Sequence, residues 1–168
     1  MRISMLAAAL CAGLLMAATS AAFAQPAQIT QRTLLDRIQI EDLITSYYND
    51  VEAGGANAYP NYYTDDAEFV VNGTVYRGRD AIVAYHQALA ARSPTHIGTF
   101  HMVFNNLQVE VRGAAATARL IWSGILSERV EAPARILKHG RETDELVKRD
   151  GQWRISRRTI ITDAGSAY

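Results

Sequence analysis

Several features that many proteins rely on are scarce or missing in this chain of 168 residues. Its single cysteine, Cys11, lies in the apolar N-terminal stretch, so the folded part must hold together without disulfides. Basic and acidic residues number 17 each, and this zero formal charge argues against nucleic acid or an anionic membrane as a partner. The sequence has no internal repeat, and no second apolar run reaches membrane-spanning length.

The motifs of several enzyme classes are also missing. The four histidines, His86, His96, His101 and His139, lie far apart and lack the spacing of a zinc site, so we predict no metal. The sequence has no Gly-rich phosphate loop and no nucleophile elbow, and the folded part has no cysteine nucleophile. We therefore predict a protein that works without a cofactor.

The first 24 residues have the composition of a cleavable bacterial signal peptide. Arg2 gives a short basic start, an apolar run follows, and the stretch ends in the small-x-small sequence AFA at residues 22–24. A membrane-spanning helix is the alternative, but the run is short and has no basic flank to stop transfer. We expect residues 1–24 to be removed, a periplasmic or secreted protein, a flexible N-terminal arm at 25–33, and one domain at 34–164.

The order of helix and strand patterns predicts an α+β fold. Apolar residues recur at helical spacing between residues 34 and 53, Thr33 or Asp36 is a candidate cap, and Gly54-Gly55 ends the pattern. A second helix is predicted at 80–92, and Ser93-Pro94 ends it. Strands are predicted at 68–72, 74–77, 97–111, 115–130, 136–148 and 152–162, with turn signals between them. We expect a curved antiparallel sheet, a half-barrel, wrapped on the N-terminal helix.

Short motifs along the chain resemble those of the nuclear transport factor 2-like superfamily and its SnoaL-like branch. The resemblance covers roughly residues 34 to 163. Its motifs are Tyr47 before EAG at 52–54, YTDDA at 63–67, RGRDAI at 77–82, His101, GRETDEL at 140–146 and DGQWRI at 150–155. The resemblance implies a cone-shaped, cystatin-like fold and a homodimer packed through the outer face of the sheet. Members include scytalone dehydratase, ketosteroid isomerase, polyketide cyclases and proteins that only bind or assemble, so the fold alone does not give the activity.

Two members of the superfamily suggest catalytic residues by position. Resemblance to scytalone dehydratase places its helix-end acid at Glu52 and one sheet histidine at His101, whereas its second histidine falls near Ser123 or Gly124 and is missing. Resemblance to ketosteroid isomerase matches its tyrosine to Tyr47 and its protonated acid to Asp144. The general base of that enzyme falls near residues 70–71, where valine cannot accept a proton.

The residue chemistry supports the same candidates, each beside a structural alternative. The His101 imidazole can move protons near neutral pH, and Glu52 can orient it or act as the base. Tyr47 and Tyr48 can hold an oxygen on which charge develops, although tyrosines at this spacing also serve as core residues. Trp122 is expected to line the core or a pocket.

Glu142 and Asp144 alternate on one strand face with Leu146. They either point inward as acids kept neutral by burial or, as we favour, form an exposed face paired with arginine.

We therefore predict a lyase or isomerase without a cofactor, acting on a small cyclic or hydrophobic carbonyl compound. The predicted catalytic residues are His101, Glu52 and Tyr47. The predicted substrate-binding residues are Tyr48, Trp122, Glu142 and Asp144. The alternative function is a non-catalytic protein that holds a small hydrophobic ligand in the same cone.

Overall fold

The computed structural model describes residues 29–53, 59–92, 99–129 and 131–163. The predicted signal peptide and the predicted helix stops at 54–55 and 93–94 lie outside the described residues. The elements of the described part are α1 (Gln31–Glu52), a 3₁₀ turn (Tyr59–Tyr62), β1 (Tyr63–Val71), β2 (Thr74–Arg77), α2 (Arg79–Arg92), β3 (Thr99–Arg112), β4 (Ala115–Ser127), β5 (Arg135–Arg149) and β6 (Gln152–Thr162). Among the described helices, none is long and apolar enough to cross a membrane.

Helix α1 begins at Gln31, earlier than the predicted start at residue 34. Its cap is Thr30, neither of the predicted caps: the Thr30 hydroxyl accepts the backbone N–H of Thr33, and the Thr33 hydroxyl accepts that of Thr30. This reciprocal arrangement satisfies two backbone donors that a helix start otherwise leaves unpaired. The last residues of the predicted N-terminal arm are therefore helical.

The strands form one six-stranded, curved and unclosed sheet in the order β2-β1-β6-β5-β4-β3. Neighbouring strands are antiparallel, as predicted, except β1 and β6, which run parallel. The predicted β6 bounds are confirmed, and the hairpin between β1 and β2 turns at Asn72 and Gly73 as predicted. Both turn residues have positive φ, 49° and 87°, which this tight turn requires.

The concave face of the sheet packs against α1, and the core lies between them. Ile40 and Ile44 of α1 are fully buried, as are Phe69 on β1 and Ile155 on β6. Burial of such apolar side chains is the main favourable term in folding. Along β4, Ala116, Ala118, Leu120 and Trp122 are buried at every second position, which marks the concave face. The predicted α+β cone is thus confirmed.

Candidate functional site

Glu52 and His101 lie together although 48 residues separate them in the chain. Glu52 is the last residue of α1, and His101 lies near the start of β3, which is an edge strand. The His101 Nδ1 atom is 2.8 Å from Glu52 Oε1, and Glu52 Oε2 accepts the Met102 backbone N–H at 3.2 Å. One carboxylate thus holds both the imidazole and a backbone donor of the open sheet edge.

This contact sets which imidazole nitrogen can act as a base. A neutral imidazole that donates Nδ1–H to the carboxylate keeps its lone pair on Nε2. The His101 side chain is 54% exposed and that of Glu52 is 35% exposed, so Nε2 can meet molecules from solution. The pair therefore has the composition and geometry of an oriented general base.

The strand register determines the face from which His101 projects. Met102 and Phe104 pair with Gly124 and Trp122 on the concave face, whereas His101 pairs with Ile125. Because side chains alternate along a strand, His101 shares the outer face with residues such as Val103. The imidazole therefore lies at the edge of the sheet and not among the core aromatics.

A second polar cluster lies inside the cone, centred on Arg158 of β6. Arg158 and Asp144 are fully buried, and the guanidinium forms two parallel hydrogen bonds to the carboxylate, Nε–Oδ1 at 2.7 Å and Nη2–Oδ2 at 2.8 Å. Arg158 Nη2 also lies 3.2 Å from Glu142 Oε1, and the Tyr48 hydroxyl donates to Glu142 Oε2 at 2.7 Å. The favoured prediction of an exposed face for Glu142 and Asp144 is wrong: both are buried, and their arginine comes from β6.

The two buried carboxyl groups share one guanidinium, and they are not equivalent. Asp144 holds the guanidinium in a bidentate pair, which leaves less of its charge to stabilise a second anion. Burial raises the pKa of Glu142 to about 8, although Arg158 opposes the rise; the Asp144 charge adds to it. Glu142 is therefore mostly a neutral acid at pH 7, the inward-pointing alternative of the sequence analysis.

Tyr47 belongs to this interior cluster. Its ring lies 3.8 Å from the Arg158 guanidinium carbon, and its hydroxyl is 3.4 Å from His86 Nε2. Burial is the largest cause that raises the pKa of Tyr47, so its hydroxyl stays protonated. The sequence predicts that Tyr47 acts with His101 and Glu52, whereas in the structure its partners lie in the interior and include Arg158, His86 and the Tyr63 ring.

Two further arrangements were not predicted from the sequence. His86 of α2 is buried, its ring stacks on Tyr59 at 4.0 Å, and burial lowers its pKa to about 3. On the outer face, the Ser123 hydroxyl and His139 Nδ1 are 2.8 Å apart. Ile82, Tyr85 and His86 have helical spacing in the sequence. This spacing does not reveal which aromatic residue stacks on the His86 imidazole.

Trp122 lines the concave wall as expected. It is 4% exposed, and its indole lies over Gly140, where a Cβ would approach Trp122 Cζ2 to 2.9 Å. Its Nε1 atom has no hydrogen-bond partner among the described residues. Within that same part of the chain, no three His, Cys, Asp or Glu side chains are grouped so as to hold a metal ion.

Comparison with known proteins agrees with this architecture. A family model described as SnoaL-like domain matches residues 32–159. A function-unknown protein from Mycobacterium tuberculosis is 29% identical, with 79% of this chain and 74% of that chain covered and a TM-score of 0.67. An NTF2-like protein with a cystatin-like fold from Novosphingobium aromaticivorans is 27% identical, with 81% and 87% covered and a TM-score of 0.65.

A third solved structure matches the fold alone. It is a candidate scytalone dehydratase from Novosphingobium aromaticivorans, 23% identical, with 80% of this chain and 89% of that chain covered and a TM-score of 0.66. The comparison with curated proteins found no match to the sequence.

Proposed function

Because the chain belongs to the SnoaL-like domain family, we propose that it catalyses proton transfer on a small hydrophobic carbonyl compound, by dehydration or isomerisation and without a cofactor. The single observation that carries the proposal is the 2.8 Å contact between His101 Nδ1 and Glu52 Oε1. In this proposal His101 Nε2 takes a proton next to the carbonyl group and returns it to the leaving oxygen or to another carbon. Glu52 holds the imidazole in the required tautomer and stabilises its charged form.

Tyr47 has a different role in this proposal from the one the sequence suggested. Its hydroxyl contacts His86 and its ring covers Arg158, so it supports the interior wall of the cone. Tyr48 and Glu142 also remain protonated near neutral pH, but they lie inside the cone whereas His101 projects from the outer face, so this proposal assigns them no contact with the reacting group. The N-terminal sequence supports the further proposal that the protein acts in the periplasm or outside the cell.

The test measures turnover of a panel of cyclic β-hydroxy ketones. The absorbance of the enone that dehydration produces reports the rate. His101→Asn should lower kcat by about 100-fold or more, in the range that loss of a general acid–base residue causes. Glu52→Gln should lower it less, because the imidazole remains but its tautomer is no longer fixed. His139→Asn is the matched control, since His139 is also a strand histidine on the outer face, and it should leave kcat unchanged. Full turnover in His101→Asn would reject the proposal.

A non-catalytic binding protein is the second candidate, favoured by the aromatic interior. Tyr48 and Phe104 stack at 5.3 Å, and Trp122 is buried beside them on the concave face. His101 projects from the other face of β3, so a ligand held only by these rings would not need it. Native mass spectrometry of the purified protein tests this function: a retained apolar molecule whose binding is unaffected by His101→Ala would favour it.

A further inference from the structure

Ile136 of β5 is a large apolar side chain that the fold leaves in water. Its exposed fraction, 64%, is the highest among the large apolar residues of the part of the chain that the structure describes. Single exposed apolar residues are common in proteins, so the position of such a residue matters more than its exposure. Ile136 lies in the same row of the sheet as His101.

The strand register places His101 and two isoleucines side by side on the outer face. His101 of β3 pairs with Ile125 of β4, and Ile125 pairs with Ile136 of β5. Residues directly opposite each other in an antiparallel pair share one face, with Cβ atoms about 5 Å apart. The three side chains therefore form a continuous row that begins at the edge of the sheet. We call Ile125 and Ile136 together the isoleucine platform.

The neighbouring row of the outer face limits the shape of this platform. That row begins with Val103, and the residue of β4 that pairs with Val103 is the polar Ser123. The apolar surface beside His101 therefore extends across the strands, along Ile125 and Ile136, and is narrow in the direction of the strands. Because neighbouring strands lie about 4.8 Å apart, the platform reaches about 10 Å from His101.

The proposed proton transfer needs a surface of this kind. A substrate must be held with one of its carbons next to His101 Nε2, since the Nδ1 atom faces the Glu52 carboxylate. An imidazole and a carboxylate give little apolar contact, so the hydrocarbon part of the substrate must rest on other residues. The aromatic residues of the interior lie on the opposite face of the sheet. The isoleucine platform is apolar and adjoins the imidazole on the same face.

We propose that the isoleucine platform binds the hydrocarbon part of the carbonyl substrate, an inference that rests on the function proposed above. A length of about 10 Å accommodates two linked rings laid flat, with the carbonyl ring at the His101 end. The substrate class is therefore a two-ring ketone, such as a cyclohexanone that carries an aryl group. Contact with the isoleucines is the same before and during proton transfer, so the platform determines affinity and His101 determines the rate of the chemical step.

The test is NMR of the full chain with isotope-labelled isoleucine methyl groups, titrated with 4-phenylcyclohexanone. This probe has the proposed two-ring shape and no hydroxyl group to eliminate. We expect the methyl signals of Ile125 and Ile136 to shift and to saturate as the probe is added. The signals of Ile44 and Ile155, which are fully buried in the core, should stay in place.

Variants of Ile136 measure how much the platform contributes. Ile136→Ser should raise the Kd of the probe by about five- to tenfold, as loss of one partly covered apolar side chain does, and Ile136→Leu should keep it close to the wild-type value. On the panel of β-hydroxy ketones, Ile136→Ser should raise KM with little change in kcat. Val75→Ser is the matched control: Val75 is 42% exposed on β2, at the other edge of the sheet, and its loss should change neither Kd nor KM.

The platform and the proposed proton transfer can fail separately, because binding of the probe requires no turnover. Full turnover in His101→Asn rejects the proton transfer, whatever the methyl signals show. If turnover is lost in His101→Asn but the signals of Ile125 and Ile136 do not move with the probe, the platform alone is rejected.

Two further results would overturn the proposal. Shifts at Ile44 and Ile155 in place of the platform signals would mean that the ketone binds inside the cone. Shifts of the platform signals on dilution of the protein, with none on addition of the probe, would mean that a second copy of the chain covers Ile125 and Ile136.

Discussion

His86 is a histidine whose burial leaves it uncharged. Its ring stacks on Tyr59 at 4.0 Å, and the Tyr47 hydroxyl lies 3.4 Å from its Nε2 atom. Burial lowers its pKa to about 3, and the nearby positive charge of Arg158 adds to this effect. The imidazole acts as a flat, neutral spacer between α2 and the aromatic residues of the core.

Acid should therefore destabilise the protein through His86. In the unfolded chain an ordinary histidine takes up a proton below about pH 6.5, whereas folded His86 stays neutral until about pH 3. The unfolded state thus binds more protons across this window, and stability rises with pH and falls on acidification. At pH 5 this linkage is worth up to about 2 kcal/mol.

Replacement of His86 by phenylalanine should remove that part of the pH dependence and preserve the stacking on Tyr59. Urea unfolding at pH 7.5 and pH 5 tests this prediction. On acidification the free energy of unfolding should fall by about 1–2 kcal/mol more in the wild type than in His86→Phe. His139→Asn, a change at a half-exposed histidine, should keep the wild-type dependence of the free energy of unfolding on pH. If the free energy of unfolding depended on pH equally in the wild type and in His86→Phe, His86 would have to be protonated in the folded state.

At the scale of elements, the sequence predicted the existence of the helices and strands because their periodicities are local, but β1 begins at Tyr63 and not at the predicted residue 68. It did not predict Arg158 inside the core. Trp153 and Ile155 are buried at alternate positions, and strict alternation would next bury Arg157. A register shift between Glu145 and Leu146 of β5 adds one residue to β6, so that Arg158 faces inward instead. Glu142 and Asp144 were identified from the sequence, but their burial depends on this irregularity, which no local pattern reveals.

Gly140 marks the closest approach between β5 and its neighbours. A Cβ there would lie 2.3 Å from the Ile161 carbonyl oxygen, a backbone atom that cannot turn aside, and 2.9 Å from Trp122 Cζ2. Only glycine therefore lets β6 and the Trp122 indole pack at this distance. The requirement is steric, because Gly140 is not among the residues of positive φ.

Gly140→Ala should thus destabilise the protein by about 3 kcal/mol or more, the upper range for an overpacked core. Gly113→Ala separates steric from conformational cost: Gly113 has a φ of 64° but no atom near its Cβ position, so about 1 kcal/mol is expected. Chemical denaturation of both variants measures the difference. Similar losses for the two would mean that β6 can move away from the added methyl group.

At the scale of the whole molecule, the outer face of the sheet carries apolar side chains that α1 does not cover. Val103 of β3 and Ile161 of β6 are 42% and 48% exposed. Ile121 lies on this same face, because it pairs with Arg141, and Arg141 pairs with Ile161. Exposed apolar surface of this kind is typical of protein interfaces. We propose that a second copy of the chain covers this face, as the family resemblance implies for a homodimer.

A charge on this face should then prevent association. The double variant Val103→Asp and Ile161→Asp would bury two unpaired carboxylates in the interface. The desolvation cost of each carboxylate outweighs the apolar contact that the aspartate replaces. Light scattering after size-exclusion chromatography should give a dimer mass for the wild type and a monomer mass for the variant. Ile38→Asp, at a comparably exposed isoleucine of α1, should remain dimeric. A monomer mass for the wild type would reject the proposed dimer. Because His101 shares the outer face, a monomer would leave the imidazole open to solution, whereas a dimer would place a second chain next to it.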